Sequence, residues 1–149
     1  MKDCFKNSKV VYLITFSVDG QPHSRPMTNF NDDPYTMMWF PSYRDTRKVR
    51  DIKVNDKVIV IFPSCNTDEF FEVEGRAELA SEEVVEDKWV WWYLYWHPEL
   101  NDRFWFSRSG DHPERVIINI KPVAARVLKK DNVRYIREGY ETVVPKNGF

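Results

Sequence analysis

A run of β-branched and aromatic residues, followed at once by a tight-turn dipeptide, is the feature that most constrains how this chain folds. Residues 10–18 are mostly of these types, and Asp19 and Gly20 come directly after them. The run is too short and too rich in β-formers for a helix, and Asp-Gly is a strong hairpin signal. The sequence therefore predicts an antiparallel hairpin near the start of the chain.

The second strand of this hairpin carries two prolines. Residues 21–30 include Pro22 and Pro26, and proline cannot donate a hydrogen bond to a neighbouring strand. Two prolines in one strand therefore indicate an edge strand or a bulge. A third strand is predicted at residues 35–40, and Pro41 is expected to end it.

The rest of the chain continues this mainly β pattern. The sequence predicts a helix at 46–55 capped by Asp45, followed by strands at 57–62 and 69–79, with a bulge or a close backbone approach at Gly75. A tryptophan-rich helix is predicted to begin at Ser81. Strands at 115–120 and 123–128, separated by a bend at Lys121-Pro122, and a last strand near 133–136 complete the prediction. Strands and helices do not alternate, which argues against a doubly wound nucleotide fold. We expect one domain over residues 1–149, a mainly β (α+β) antiparallel barrel of about six to eight strands with peripheral helices.

Composition excludes several classes of protein. The net charge is −1, so no overall basic field favours a nucleic acid partner. No apolar run approaches the roughly 18 residues of a membrane span, and no signal peptide is visible. Cys4 and Cys65 are too few and too far apart for a disulfide framework, which predicts a cytoplasmic protein with reduced thiols. The histidines lie at no metal-ligand spacing, so no metal site is expected.

The start of the predicted helix at 46–55 concentrates positive charge. Arg44, Arg47, Lys48 and Arg50 gather there, although a helix N-terminus already carries a partial positive charge. A bound phosphate would relieve that charge by resting on the free backbone N–H groups. A solvated helix face is the alternative interpretation. The preceding aromatic strand offers a flat apolar wall, and the two features together point to a nucleotide-like cofactor.

Several motifs in this region occur together and in a fixed order. They are Asp19-Gly20, Pro22-His23-Ser24-Arg25-Pro26-Met27, Trp39-Phe40-Pro41-Ser42-Tyr43-Arg44-Asp45-Thr46-Arg47-Lys48-Val49, Glu74-Gly75-Arg76-Ala77-Glu78-Leu79 and Asp111-His112-Pro113. Through them the chain resembles the pyridoxamine 5'-phosphate oxidase-like family of FMN-binding split β-barrels, within its general stress protein subgroup. The resemblance covers about residues 9–128.

The resemblance implies a homodimer with FMN in a cleft between the subunits. It assigns Arg25, Pro26 and Met27 to the length of the flavin, with Arg25 on its ribityl-phosphate side. Pro41 and Ser42 would flank the ribityl chain. The phosphate would be held by Arg47 and Lys48 with the Thr46 hydroxyl. Two aromatic residues complete the predicted set: Trp39, as a flavin wall or a core residue, and Trp105.

The chain departs from the family members that oxidise pyridoxamine phosphate. Those proteins carry a substrate-binding lysine where this sequence has Phe30, and a cofactor-contacting glutamine where it has Phe70. They also end in an arginine- and tryptophan-bearing tail that residues 144–149 do not reproduce. The resemblance therefore implies a flavoprotein that is not a true pyridoxamine phosphate oxidase.

The expected function is FMN-dependent oxidoreduction of an unknown small molecule, with a reduced nicotinamide as electron donor. A deazaflavin or haem is the alternative cofactor. The alternative functions are a non-catalytic flavin- or haem-binding stress or sensor protein and an interaction module with an empty pocket. No catalytic residue is identified, because hydride transfer at a flavin needs no side-chain acid or base. The tryptophans of residues 89–96, the three histidines and Cys65 are interpreted as structural or inert.

Overall fold

Six strands and three helices make up the described part of the chain. The computed structural model describes residues 1–65, 68–96 and 114–129. Its elements are α1 (Lys2–Asn7), β1 (Val10–Phe16), β2 (Pro22–Thr28), β3 (Met38–Tyr43), α2 (Arg47–Val54), β4 (Lys57–Pro63), β5 (Glu69–Leu79), α3 (Glu82–Trp96) and β6 (Arg115–Lys129).

All six strands belong to one antiparallel sheet with the order β2-β1-β4-β5-β6-β3. The sheet curls into a split barrel, so β2 and β3 are its two free edges. The predicted mainly β split barrel and the edge position of β2 are confirmed. Gly20 has the positive φ of 81° that the predicted hairpin turn requires. The strand predicted near 133–136 lies outside the described residues.

The core explains why the central strands are apolar without a break. Side chains at alternate positions of β1 and β4, such as Val11 and Val60, fill the inside of the barrel. Their neighbours, such as Ile14 and Ile61, pack in a second cluster on the opposite face. Both faces of these two strands are buried, so neither shows the polar alternation of a surface strand.

The bounds of β3 and β6 differ from the prediction: β3 begins at Met38 rather than at residue 35, and β6 is one strand where two were predicted. Pro41 does not end β3, which continues to Tyr43 along β6. Lys121-Pro122 does not divide β6 either, because a bulge opposite Gly75 absorbs the irregularity and pairing resumes at Ala124. A Cβ on Gly75 would lie 2.6 Å from a side-chain carbon of Ile120, so only glycine fits this close approach.

The start of α2 also differs from the prediction. Its N-cap residue is Thr46, and no side chain makes a capping hydrogen bond within the described chain. Asp45, predicted to cap the helix, is exposed and instead accepts a hydrogen bond from Arg50 at 2.7 Å. The backbone N–H groups of the first turn of α2 therefore lack the usual side-chain cap.

The two cysteines form a disulfide, which corrects the expectation of separate, reduced thiols. Cys4 lies on α1 and Cys65 follows β4, and their Cα atoms are 5.6 Å apart. The short helix α1, which the sequence did not predict, packs Phe5 edge-on against Phe62 with ring centroids 4.8 Å apart. Because the two cysteines are 61 residues apart along the chain, the sequence did not indicate that they lie close together.

Removal of this disulfide should destabilise the protein. The double substitution Cys4→Ser/Cys65→Ser should lower the free energy of unfolding by about 2–4 kcal/mol, because the bridge closes a long loop in the unfolded chain. Urea denaturation of both proteins, with and without reductant, measures the difference. Reductant should destabilise only the wild type. Two reactive thiols in the native, unreduced wild type would contradict the assignment.

Candidate active site

A cleft lies in the seam between the two free edges of the sheet. Its volume is about 250 Å³. The lining comes from β2 and β3, from the segment between them, and from α2 and α3: Pro26, Met27, Thr28, Phe30, Pro41, Ser42, Tyr43, Lys48 and Trp89. The walls are mostly apolar or aromatic, and Lys48 supplies the positive charge.

Prolines keep the edge of β2 at this seam from pairing. Hydrogen bonds from Asn29 N–H to Lys9 O and from Ser17 N–H to Gln21 O fix which β2 residues bond to β1. Because antiparallel pairs alternate, Pro22 and Pro26 fall at the positions that face away from β1. Their lack of N–H groups removes no hydrogen bond between β1 and β2. A strand that approaches this edge finds no N–H donor at either proline.

The free edge of β3 is also kept from pairing with another strand. The Asn31 side chain accepts from Trp39 N–H at 2.9 Å and donates to Trp39 O at 2.9 Å, so Trp39 presents its backbone to the free edge. Pro41, two residues further, shares that orientation. The ring of Phe30 stacks on Trp39 at 5.4 Å and extends this closed end of the seam. The seam is thus bridged at Trp39 and open beside Pro41.

The N-terminus of α2 faces the open part of the seam. Its first turn carries no acidic residue. The Thr46 hydroxyl donates to Tyr43 O at 2.9 Å and lies 3.4 Å from the Ser42 hydroxyl, so it points back toward β3. This arrangement leaves the positive end of the helix beside Lys48, a combination that favours an anion.

Lys48 is held in an environment that disfavours its own charge. Burial lowers the pKa of the Lys48 ammonium below its usual value, and the positive charge of Arg25 lowers it further. No carboxylate pairs with Lys48 among the described residues. A ligand anion would remove this unfavourable interaction.

Behind the cleft, one buried carboxylate anchors a hydrogen-bonded network. Asp51 Oδ2 accepts from the Thr15 hydroxyl at 2.7 Å and contacts His23 Nδ1 at 2.9 Å. Arg25 donates to the Thr15 hydroxyl at 2.8 Å, and Arg47 contacts His23 Nε2 at 3.2 Å. The network joins β1, β2 and α2, and it brings both arginines of the predicted site to one side of the cleft.

The structure brings most of the predicted site residues together. Five of them line the cleft: Pro26, Met27, Pro41, Ser42 and Lys48. Three border it, namely Arg25 and Arg47 in the network behind it and Thr46 at the start of α2. Trp39 is half-buried next to the lining residue Phe30. Trp105 lies outside the described residues.

Sequence reasoning missed two groups of residues in this region. Trp89, interpreted as structural, does pack on Ile117 and donates to Val116 O at 3.3 Å, yet it also lines the cleft. Asp51 gave no sequence signal, and His23 was interpreted as structural or inert. Only the crossing of α2 over β1 and β2 reveals their contact.

Within residues 1–65, 68–96 and 114–129, no cluster of three or more His, Cys, Asp or Glu side chains is arranged to hold a metal ion. Over the same described residues, no helix has both the length and the apolar character needed to cross a membrane.

Comparison with known proteins gives matches over most of the chain. A family model described as pyridoxamine 5'-phosphate oxidase matches residues 1–129. General stress protein 26 of Bacillus subtilis is 31% identical over 129 residues, covering 85% of this chain and 84% of that protein. The solved structure of General Stress Protein 26 from Bacillus anthracis is 25% identical with a TM-score of 0.59, covering 85% of this chain and 92% of that one. A FAD-binding protein from Mesorhizobium loti shares the fold, at 17% identity and a TM-score of 0.58 over 83% and 88% of the two chains.

Replacement of the buried cation should stabilise the ligand-free protein. Because the pKa of Lys48 is lowered in the fold, its charged form is less favourable there than in the unfolded chain. At pH 7, Lys48→Met should raise the melting temperature by about 1–2 °C. The gain should shrink as the pH rises through the lowered pKa of Lys48 in the fold, and it should vanish above 10.5, where the unfolded chain has lost this charge too.

The matched control is Lys53→Met on the exposed side of the same helix, which should change the melting temperature little at any pH. Differential scanning calorimetry between pH 6 and pH 10 measures both variants. A lower melting temperature for Lys48→Met at pH 7 would argue that Lys48 stabilises the fold.

Proposed function

The chain belongs to the pyridoxamine 5'-phosphate oxidase family, and from this membership and the geometry of the cleft we propose that it binds FMN and acts as a flavin-dependent oxidoreductase. The observation that carries the proposal is the uncapped, basic start of α2 at the open end of an apolar cleft. A phosphate is the group that such a helix start accepts best. A planar ring suits the rest of the lining.

The chemistry of the donor set fits a flavin with a terminal phosphate. Lys48, Arg47 and the Thr46 hydroxyl would hold the phosphate together with the first-turn N–H groups of α2. Pro41 and Ser42, on the free edge of β3, would flank the ribityl chain.

The ring system would lie along the other side of the seam. We assign Arg25, Pro26 and Met27 of β2 to the length of the flavin, with the Arg25 guanidinium on its ribityl-phosphate side. Trp39 would lie at the closed end of the seam, and Trp105 would be a further contact. The prolines face the seam with no N–H group to satisfy, so an apolar ring can approach them without desolvating a donor.

When bound, the flavin would supply the two-electron redox chemistry of this site. The chain's own residues bind, orient and shield. Lys48 and Arg47 would fix the phosphate end of the ligand, and the aromatic side chains of Phe30, Tyr43 and Trp89 add apolar surface to the walls of the cleft. No side chain needs to act as an acid or base, and a reduced nicotinamide is the proposed electron donor.

The substrate we propose lacks a phosphate of its own. Phe30 occupies the cleft where relatives that oxidise pyridoxamine phosphate carry a lysine, and its ring stacks on Trp39. An apolar surface there gives a second phosphate no partner. We therefore propose a substrate other than pyridoxamine phosphate.

A homodimer completes the proposal. The cleft of about 250 Å³ is smaller than the roughly 300–1,000 Å³ of sites that enclose a drug-sized ligand. The described residues therefore enclose only part of a flavin, and we propose that a second chain helps to cover the rest. Val123 and Val127 on β6 are 61% and 52% exposed and offer an apolar surface for such a contact.

A non-catalytic flavin-binding role is the second candidate. It fits the scarcity of titratable groups in the cleft as well as the oxidoreductase does, since Tyr43 and Lys48 are the only ones among the described lining residues and flavin chemistry needs no side-chain acid or base. Stopped-flow reduction of the bound flavin by a reduced nicotinamide separates the two roles. Reduction that depends on donor concentration supports the oxidoreductase, and slow, donor-independent reduction supports the binding protein.

Loss of the two cations at the start of α2 should release the cofactor. Each charge-assisted contact contributes about 1.5–3 kcal/mol, so Arg47→Ala/Lys48→Ala should weaken FMN binding by at least about 100-fold. Quenching of flavin fluorescence on titration measures the affinity. The control is Arg50→Ala on the same helix, whose side chain is 62% exposed and paired with Asp45. Equal FMN affinity in the double variant and the wild type would refute the phosphate assignment.

Disruption of the apolar surface on β6 should separate the subunits. Wild-type protein should sediment with a mass near twice the 17.9 kDa of the chain. Val127→Glu should shift it to the monomer and weaken FMN binding, because a charge cannot be buried there without a partner. Val18→Glu, in the hairpin turn and 80% exposed, should leave the mass unchanged. A Val127→Glu protein that remains dimeric would show that the subunits meet elsewhere.

A further inference from the structure

Both arginines near the cleft are connected to the same buried carboxylate. The Asp51 side chain is about nine-tenths buried, and Thr15 is fully buried. One arm of the network runs from Asp51 through the Thr15 hydroxyl to Arg25, and the other runs from Asp51 through the His23 ring to Arg47. Among the described side chains, Asp51 contacts His23 directly and neither arginine.

The chemistry of the donors fixes the direction of every bond in the second arm. A guanidinium can only donate, so His23 Nε2 must accept from Arg47. The ring proton therefore lies on Nδ1, which donates to Asp51 Oδ2. The neutral ring thus has a single tautomer, set by the groups on either side of it.

The first arm has an equally defined direction. The Thr15 hydroxyl donates to Asp51 and accepts from Arg25, and Arg25 donates a further bond to Leu13 O at 3.2 Å. A hydroxyl and an imidazole thus each stand between the carboxylate and one arginine. Asp51 therefore reaches each guanidinium group through an intermediate side chain and forms a direct ion pair with neither.

We propose that Asp51 is a positioning residue for phosphate recognition, and that it sets the orientation of Arg25 through Thr15 and of Arg47 through His23. The inference rests on the proposed function, since it concerns how the same site is made ready for a phosphate. It adds three residues to that site, Asp51, His23 and Thr15, none of which touches the ligand.

The effect of Asp51→Asn on FMN affinity distinguishes a positioning role from a simple electrostatic one, because the two roles predict changes in opposite directions. If Asp51 acted only as a nearby negative charge, its neutralisation would strengthen phosphate binding. If Asp51 positions the arginines, a neutral amide holds His23 and Thr15 less strongly and phosphate binding weakens. The expected change is an FMN affinity about tenfold weaker, with riboflavin affinity unchanged because riboflavin lacks the phosphate.

Two substitutions of His23 test one arm without changing the buried carboxylate. His23→Leu removes both ring contacts and should weaken FMN binding by about tenfold. His23→Gln retains one N–H donor and one acceptor oxygen, as the neutral ring does, and should restore most of the affinity. A merely structural role would show equal effects on riboflavin and FMN and no recovery with Gln.

The ligand-free protein supplies an independent readout. In ¹⁵N NMR spectra the His23 ring should show a protonated Nδ1 and an unprotonated Nε2 in the wild type. Asp51→Asn should lose this fixed tautomer while the remaining backbone resonances stay in place. Equal populations of the two tautomers in the wild type would overturn the proposal without any flavin present.

The outcomes distinguish this inference from the proposed function. If the wild type binds FMN and Asp51→Asn binds it equally well or more tightly, the positioning proposal is wrong and the flavin assignment stands. If the wild type binds neither FMN nor riboflavin, the proposed function fails and the positioning role fails with it.

Discussion

The prolines along the seam between β2 and β3 are the constraint on which the site depends. Pro22 and Pro26 face the free edge of one strand, and Pro41 faces the free edge of the other. Two edges whose donors are interrupted by prolines cannot exchange a full ladder, so the curled sheet stays split there. An exposed strand edge normally promotes unwanted pairing with other chains, whereas here it forms the wall of a cleft.

The concentration of positive charge at one end of the seam depends on the seam being open there. The start of α2 brings Lys48 and Arg47 to a helix terminus that is already positive, an arrangement that disfavours the ligand-free state. The buried carboxylate of Asp51 lies behind these cations and holds the arginines through intermediate groups. We interpret the combination as an arrangement that lowers the folding stability of the ligand-free protein and favours ligand binding, which is common at functional sites.

The sequence predicted local features well and distant contacts poorly. The hairpin at Gly20 and the bulge at Gly75 follow from turn chemistry and glycine geometry, and both are confirmed. The extent of β3 through Pro41 was missed because an edge position tolerates proline, and edge orientation is a tertiary property. The Cys4–Cys65 bridge, like the network around Asp51, joins elements whose proximity only the folded sheet creates.

A crystal structure of the protein grown with FMN tests the central claim most directly. The account predicts that the phosphate lies within hydrogen-bonding distance of Lys48, Arg47 and the first-turn N–H groups of α2. It also predicts the ring system along Pro26 and Met27, with the ribityl chain beside Pro41 and Ser42. Electron density for FMN elsewhere on the molecule, or a seam that holds only water at saturating FMN, would contradict it.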